Sequence, residues 1–174
     1  MPHARHRLVR FCDDYDLSDF DCGYALYNSW LREHAASSIR AGVCAVYLLV
    51  EHAGDRERVV GYFAINPTQV ASSDMPSNQV RGWPRSVPAW KIGKLAVHVD
   101  LRTDADAQWG RHLLRAAIET VLRACDVGGG KVIIVDPDAP ALARFYVDNG
   151  FRPCAVHGSS ACYLKVSTAR ALLG

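Results

Sequence analysis

In the segment DADAQWGRHLL, Asp104 to Leu114, a single glycine stands among Gln108, Arg111 and His112, between an apolar run, KIGKLAVHV, and a helical pattern, LLRAAIETVLRAC. The first amides of a helix have no carbonyl partner within it, and the helix dipole adds positive potential there. A strand-to-helix turn of this kind can therefore hold phosphates. The groups available are the amides of Trp109, Gly110, Arg111 and His112 and the cations Arg102, Arg111 and His112. Asp104 and Asp106 oppose such a ligand unless they face solvent; an ordinary capped helix after an acidic loop is the alternative. A second stretch, Met75 to Val99, contains no Asp or Glu but holds Arg81, Arg85, Lys91 and Lys94, interleaved with Trp83 and Trp90. Cations there suit backbone phosphates and indoles suit stacked bases, with Arg32 and Arg40 as further candidates. The same residues also describe a solvated loop pinned by two tryptophans. In ARFYVDNGF, the Tyr146 phenol, with an ordinary pKa of about 10, is protonated at neutral pH and can act as a general acid. Leu142, Phe145 and Tyr146 share one helical face, which equally describes core packing.

These residues need elements to position them. A chain of 174 residues, 49% hydrophobic and 22% charged, suits one domain, 1–174, with one sizeable core. A net charge of +2 does not argue for nucleic acid by itself, but the charge is segregated: Asp13 to Asp21 holds five aspartates. Six cysteines without a C-x-x-C pair or metal spacing read as buried reduced thiols, and no metal is expected. The segment MPHARHRLVRF lacks a leader-like apolar stretch and no run suits a membrane span, so a cytoplasmic protein is expected. Leu8 to Cys12 predicts a short strand. Ala25 to Ala36 predicts a helix with Leu26, Trp30, Leu31 and His34 at helical spacing. VCAVYLLVE and RVVGYFAIN, separated by HAGDRE, predict a hairpin. A long connection, PTQVASSDMPSNQVRGWPRSVP, leads to the strand AWKIGKLAVHV. Trp109 to Cys125 predicts a helix burying Leu114, Ile118, Val121, Leu122 and Cys125, stopped by GGG. KVIIVD reads as a strand covered on both faces. DPDAPALARFYVDNG predicts a helix with Asp138 at its N-cap, Pro140 in the first turn and Asn149-Gly150 at its end. FRPCAVH and ACYLKVS predict a closing hairpin. The plan is α+β, a mixed, mostly antiparallel sheet flanked by helices.

LAVHV followed by GRHLLRAAI, then VIIVD, then ALARFYVDNGF, resembles the core of the GNAT superfamily of N-acetyltransferases, over nearly the whole chain. FDCGYALYNSWLREHA, RVVGYFAINPTQV and PRSVPAWKIGKLAV are similar to the toxin subgroup of bacterial type II toxin-antitoxin pairs. The resemblance implies the GNAT acyl-CoA N-acyltransferase fold, acetyl-CoA as cosubstrate, and transfer of its acetyl group to the α-amine of aminoacyl-tRNA, which stops translation. It implies a ribbon-helix-helix antitoxin as partner and a homodimer. Leu95, Ala96 and Val97 match the family strand that pairs with the pantetheine arm, Tyr146 matches the family tyrosine near the CoA sulfur that donates a proton to the thiolate, and the neighbouring Phe145 is expected among the cofactor-binding residues. The family pyrophosphate turn is Gln or Arg, two residues, Gly, one residue, then Gly or Ala. Gly110 takes the final position, but Ala105 and Gln108 stand at the first polar position and the first glycine, a clear departure.

The strand from Ala89 to Val99 carries no carboxylate to act as a base, and RVVGYFAIN carries none. His98 is the one candidate base on that strand. An α-amine near the peptide value of about 7.7 to 8.0 is partly neutral at pH 7 without help, whereas a lysine amine near 10.4 is not. The alternatives are acetylation of a small amine or a protein N-terminus, and a non-catalytic binding module of the same fold.

Overall fold

The computed structural model describes residues 5–174; the first four residues of MPHARHRLVRF lie outside them. A seven-stranded sheet has the order β1-β2-β3-β4-β5-β7-β6. Its strands are β1 (His6–Arg10), β2 (Ala45–Ala53), β3 (Arg56–Ala71), β4 (Ser86–Val97), β5 (Val132–Val135), β6 (Arg152–Pro153) and β7 (Cys162–Lys165). Its helices are α1 (Ala25–Ser29), α2 (Ala35–Arg40), α3 (Val99–Arg102), α4 (Trp109–Gly128), α5 (Pro140–Asp148) and α6 (Val166–Leu173). Two compact units share these elements. One comprises residues up to Asn66 with Lys94–Ala117, the other Pro67–Gly93 with Ile118–Gly174.

In the first unit, β2 pairs antiparallel with β1 and β3. The predicted hairpin closes through Gly54-Asp55, where Gly54 takes a φ of +67° that costs glycine nothing. Its ladder slips between Leu49 and Val50: Leu49 faces Gly61 and Val50 faces Val59, so Val60 is the extra residue of a bulge. Phe20, Leu31, Val46, Leu48 and Tyr62 form the core. The predicted helix is longer and its inward face differs. Leu26 is 84% exposed and His34 is exposed, while Asn28, Leu31 and Ala35 are buried. A π-turn over Trp30–His34 lies between α1 and α2. Its wider winding shifts the phase of the apolar stripe, which a constant 3.6-residue period does not anticipate. Asn28 fixes the inward face, accepting the Cys22 amide at 2.9 Å and donating to Asp21 at 2.8 Å.

In the second unit, β5 runs parallel to β4 and antiparallel to β7, and all four of its residues are buried, as its apolar sequence predicts. Met75, Val87, Val132, Ile134 and Tyr163 form its core. β3 continues to Ala71, so the connection to β4 is shorter than expected and is held by the Ser72 amide on the Arg85 carbonyl at 2.9 Å. The N-cap of α5 is Ala139, not Asp138, and has no side-chain cap. Pro140 has no N–H to satisfy, and the Ala139 carbonyl receives the Leu142 and Ala143 amides. α6 follows β7 directly, where the sequence pattern predicted only the strand. Of the six free cysteines, Cys22, Cys125 and Cys162 are buried, Cys44 and Cys154 half-buried, and Cys12 exposed. No helix among the described residues is long and apolar enough to cross a membrane.

α4 buries all five residues named from its periodicity and ends at the glycine run. A Cβ added at Gly130 would stand 2.9 Å from Trp90 Cδ1 and 3.0 Å from Cys125 Sγ, at a φ of +137°. Gly129, at φ +74°, has nothing within 4 Å. Gly130→Ala should therefore lose about 2 to 3 kcal/mol of stability through strain and overpacking, and Gly129→Ala only about 1 to 2 kcal/mol. Denaturant midpoints of the two variants check the ranking.

Candidate functional site

In the first unit, the end of β4 and the start of α4 are set against β3. A methyl group on Gly61 would lie 3.2 Å from the Ala96 carbonyl oxygen and 3.3 Å from Leu113 Cδ2, so only a bare backbone permits this approach. Ala96 and Val97 are buried and Leu95 half-buried. The ladder between β4 and β5 takes in Ala89, Trp90 and Lys91, and Leu95 to Val97 lie outside it. Immediately beyond, the His98 amide donates to the Val60 carbonyl at 2.8 Å. The buried His98 ring is fully used: Nδ1 accepts the Asp100 amide at 3.1 Å, which leaves the proton on Nε2, 3.0 Å from the Asp19 carbonyl. This tautomer caps α3, and His98 is a structural histidine rather than a base.

The turn before α4 keeps an unusual backbone. Gln108, at the position where the GNAT pattern has its first glycine, has a φ of +47°, the single positive φ of a non-glycine among the described residues. Its carbonyl receives the Arg111 and His112 amides at 3.0 and 3.1 Å, and its side-chain oxygen accepts Arg111 Nη1 at 3.0 Å. Two of the four amides expected to serve a phosphate are thus committed to the helix itself. Trp109 is buried, its ring 4.2 Å from that of His6, so only its backbone belongs to the turn. His112 stands edge-on to Trp109 at 6.0 Å. Asp104 and Asp106 are exposed, and Asp104 accepts the Ala107 amide at 3.1 Å, closing its own turn. Arg102, expected to add charge here, instead donates to the Cys22 carbonyl and covers the Tyr24 ring at 5.6 Å. The structure groups Gln108 to His112 and places the Arg102 guanidinium against another loop.

In the second unit, Tyr146 is 8% exposed, edge-on to Phe145 at 5.3 Å and to Phe151 at 5.4 Å. Its backbone carbonyl receives the Asn149 and Phe151 amides, and Asn149 Nδ2 donates to the Phe145 carbonyl at 2.7 Å, so the end of α5 is fixed. The phenol is pushed up to about 12, first by burial and then by the charges of Asp138 and Cys162.

The basic residues divide. Lys94, in the first unit, has its ammonium 5.2 Å from the Tyr27 ring and 5.5 Å from that of Trp30, which stacks on Tyr62. Arg32 donates to the Phe20 carbonyl at 2.9 Å, and Arg40 is exposed. Arg81 and Arg85, in the second unit, are exposed and Lys91 half-buried. Trp90 is committed to structure: its indole N–H donates to the Gly129 carbonyl at 3.0 Å. Trp83 is the half-buried indole of the connection, and it carries two lysines that the sequence reading missed, Lys131 at 4.8 Å and Lys165 at 5.3 Å. Only strand register brings those two together, and spacing along the chain gives no signal of it.

No protein-family model matches the chain. A tRNA-acetylating toxin of Mycobacterium tuberculosis is 29% identical over 165 residues, covering 95% of each chain. Among solved structures, AtaT complexed with acetyl-methionyl-tRNAfMet superimposes with a TM-score of 0.86 at 24% identity, covering 97% of this chain and 99% of that one. A Tyr-to-Phe variant of AtaT, bound to the C-terminus of the antitoxin AtaR and acetyl-CoA, gives 0.81 at 22% identity, covering 97% and 98%. The chain shares the GNAT acyl-CoA N-acyltransferase fold of these solved structures and is similar to a tRNA-acetylating toxin over nearly its whole length.

Proposed function

We propose that the protein is an acetyl-CoA-dependent N-acetyltransferase that acetylates the α-amine of aminoacyl-tRNA and so blocks translation as a toxin. The observation that carries this reading is the likeness to a tRNA-acetylating toxin over 95% of the chain, joined to a turn that keeps a positive φ where its sequence departs from the pattern. Residues 1–174 are taken as a single acetyltransferase domain. Leu95, Ala96 and Val97 pair with the pantetheine amides as an added strand would. The helix start from Gln108 to His112 faces the pyrophosphate, Gly110 permitting the closest approach and Arg111 supplying charge. Arg102 steadies the neighbouring loop rather than the phosphates. Phe145 lies by the thioester end.

In the reaction the neutral amine nitrogen attacks the thioester carbonyl, the C–N bond forms, and the C–S bond breaks. The amine proton passes to solvent. The CoA sulfur leaves with the electron pair, and Tyr146 is its hydrogen-bond donor. A phenol near 12 remains protonated throughout the working range. Complete transfer to a thiolate of ordinary pKa, about 8.5, runs uphill by about three to four units. Tyr146 therefore acts by donating to the charge that develops on sulfur, and solvent completes the protonation. Arg81, Arg85, Lys91 and Lys94 are the candidate tRNA contacts; of these, Lys94 is also an intramolecular cation–π partner. A ribbon-helix-helix antitoxin, a homodimer and a cytoplasmic location complete the reading.

Incubation with acetyl-CoA and charged tRNA should yield N-acetyl-aminoacyl-tRNA, identified by mass spectrometry after RNase digestion. Tyr146→Phe should lower turnover by about 10² to 10³ with acetyl-CoA affinity kept, since only the donor is lost. Full activity in this variant would make Tyr146 a packing residue. Burial has raised the folded phenol above its unfolded value of about 10, so it adds no acidic or basic limb below that pH. From pH 10 to about 12 the unfolded chain ionises first, and wild type should lose stability relative to Tyr146→Phe in denaturant titrations.

Two changes in the turn should behave oppositely. Gln108→Gly should raise stability by up to about 1 kcal/mol by relieving the left-handed backbone, less the lost contact with Arg111, and should keep acetyl-CoA binding. Gly110→Asp should abolish that binding in calorimetry without unfolding the chain, by placing charge and bulk beside the pyrophosphate.

A further inference from the structure

The second unit contains a group of cations without acidic partners. The register Val132↔Lys165, with the Val166 amide donating to the Lys131 carbonyl at 2.9 Å, fixes Lys131 and Lys165 side by side. Both ammoniums lie on the Trp83 ring, at 4.8 and 5.3 Å, and so within roughly 10 Å of each other, about one Debye length at physiological salt. Neither forms an ion pair with any described residue, and neither do Arg81, Arg85 or Arg152. One indole face offers each cation roughly 0.5 to 1 kcal/mol, which holds the pair in place without neutralising it.

A cavity adjoins this ring through Lys165. Gln79, Arg152, Tyr163, Lys165 and Thr168 line it, and it has no carboxylate. Arg152 pairs with Tyr163 across the β6–β7 ladder, and Lys165 lies two residues along the same face of β7. Tyr163 is 1% exposed, and its hydroxyl is buried with no hydrogen-bond partner. Burial raises the phenol pKa and the nearby Arg152 opposes the rise, so the group sits protonated beside a cation. A buried donor without an acceptor costs about 1 to 3 kcal/mol. Each of these five side chains can donate, and two of them are cationic. A phosphate, which offers several acceptor oxygens and negative charge, matches such a lining, whereas a carboxamide or an amine does not.

We propose that Lys131, Lys165 and Arg152, with Trp83 and the Tyr163 cavity beside them, form a phosphate-binding site for the RNA backbone. The site rests on the aminoacyl-tRNA reading and adds contacts to it. One backbone phosphate sits between Lys165 and Arg152, and the adjoining nucleotide lies against the exposed part of Trp83, displacing one ammonium towards the next phosphate. The site's charge comes from residues of β6, β7 and the approach to β5, elements the acid-free segment does not include.

The test is fluorescence anisotropy with labelled deacylated tRNA at several salt concentrations, on wild type and on Lys131→Gln/Lys165→Gln. The double variant should bind about 10- to 100-fold more weakly, and the slope of log affinity against log salt should fall by about one to two, the contribution of one or two released counterions. Lys131→Arg/Lys165→Arg, which keeps both charges, should restore most of the affinity, and thermal midpoints confirm that each variant is folded. Inorganic phosphate at millimolar concentration should compete more weakly against the Gln variant. Wild-type binding with an unchanged affinity and slope in the Gln variant overturns this site while leaving the tRNA reading intact. Absence of tRNA binding by wild type overturns both. Competition by inorganic phosphate with no tRNA effect identifies a free-anion site and overturns the RNA assignment.

Discussion

The bulge at Val60 governs much of the first unit. An extra residue in β3 breaks the alternation of its ladder with β2, and the Val60 carbonyl takes the His98 amide at 2.8 Å. The next residue is Gly61, whose missing side chain lets the Ala96 carbonyl and Leu113 approach. One irregularity thereby fixes where β4 ends and where the chain turns into α3. It also accounts for His98: once its amide is held by Val60, its ring is buried and both nitrogens find main-chain partners. The hydrogen bond itself contributes only about 1 kcal/mol, but a side chain at Gly61 would have to displace backbone, not merely a rotamer.

The same backbone demand recurs at Gln108. A left-handed conformation at a non-glycine residue costs about 1 to 2 kcal/mol, and such strain persists where surrounding contacts over-determine it. Here the Gln108 carbonyl closes the first turn of α4 through Arg111 and His112, and its side chain holds Arg111. The turn adopts at a glutamine a backbone conformation that glycine reaches more easily. Sequence pattern and structure part company here because a residue pattern records which side chain stands at a position, whereas the φ value is set by the contacts around it.

Regular periodicity was legible and local exceptions were not. The two β-rich runs of β2 and β3, the all-apolar β5 and the buried stripe of α4 follow directly from residue order. Leu26 was misplaced because a π-turn downstream and the Asn28 hydrogen bonds upstream decide which face turns inward. Asp138 looked like a cap because capping residues precede helices, but Pro140 had already removed one amide needing it. Trp83 and Trp90 are indistinguishable by spacing, yet one indole is tied to Gly129 and the other faces two lysines. Arg102 stands near the turn in sequence, yet its guanidinium donates to the Cys22 carbonyl, which is distant in sequence. Each miss arises from a partner that the linear order does not reveal.

The chemistry of the acceptor follows from what surrounds β4. With His98 tied through both ring nitrogens and no carboxylate on β4, no side chain of this strand can take a proton from an incoming ammonium. In the proposed transfer the amine therefore reaches this strand already neutral. At pH 7 an α-amine with a pKa of about 7.7 to 8.0 is roughly one-tenth neutral, while a lysine amine near 10.4 is neutral in about four molecules per ten thousand. A strand without a base therefore favours the α-amine by about two to four hundredfold before any contact with the acceptor is made. An aminoacyl ester, whose amine is no more basic than a peptide's, meets that requirement. In the proposed reaction the basic surface then has only to choose among α-amines, and a phosphate-rich carrier would distinguish an aminoacyl-tRNA from a free amino acid or a peptide end.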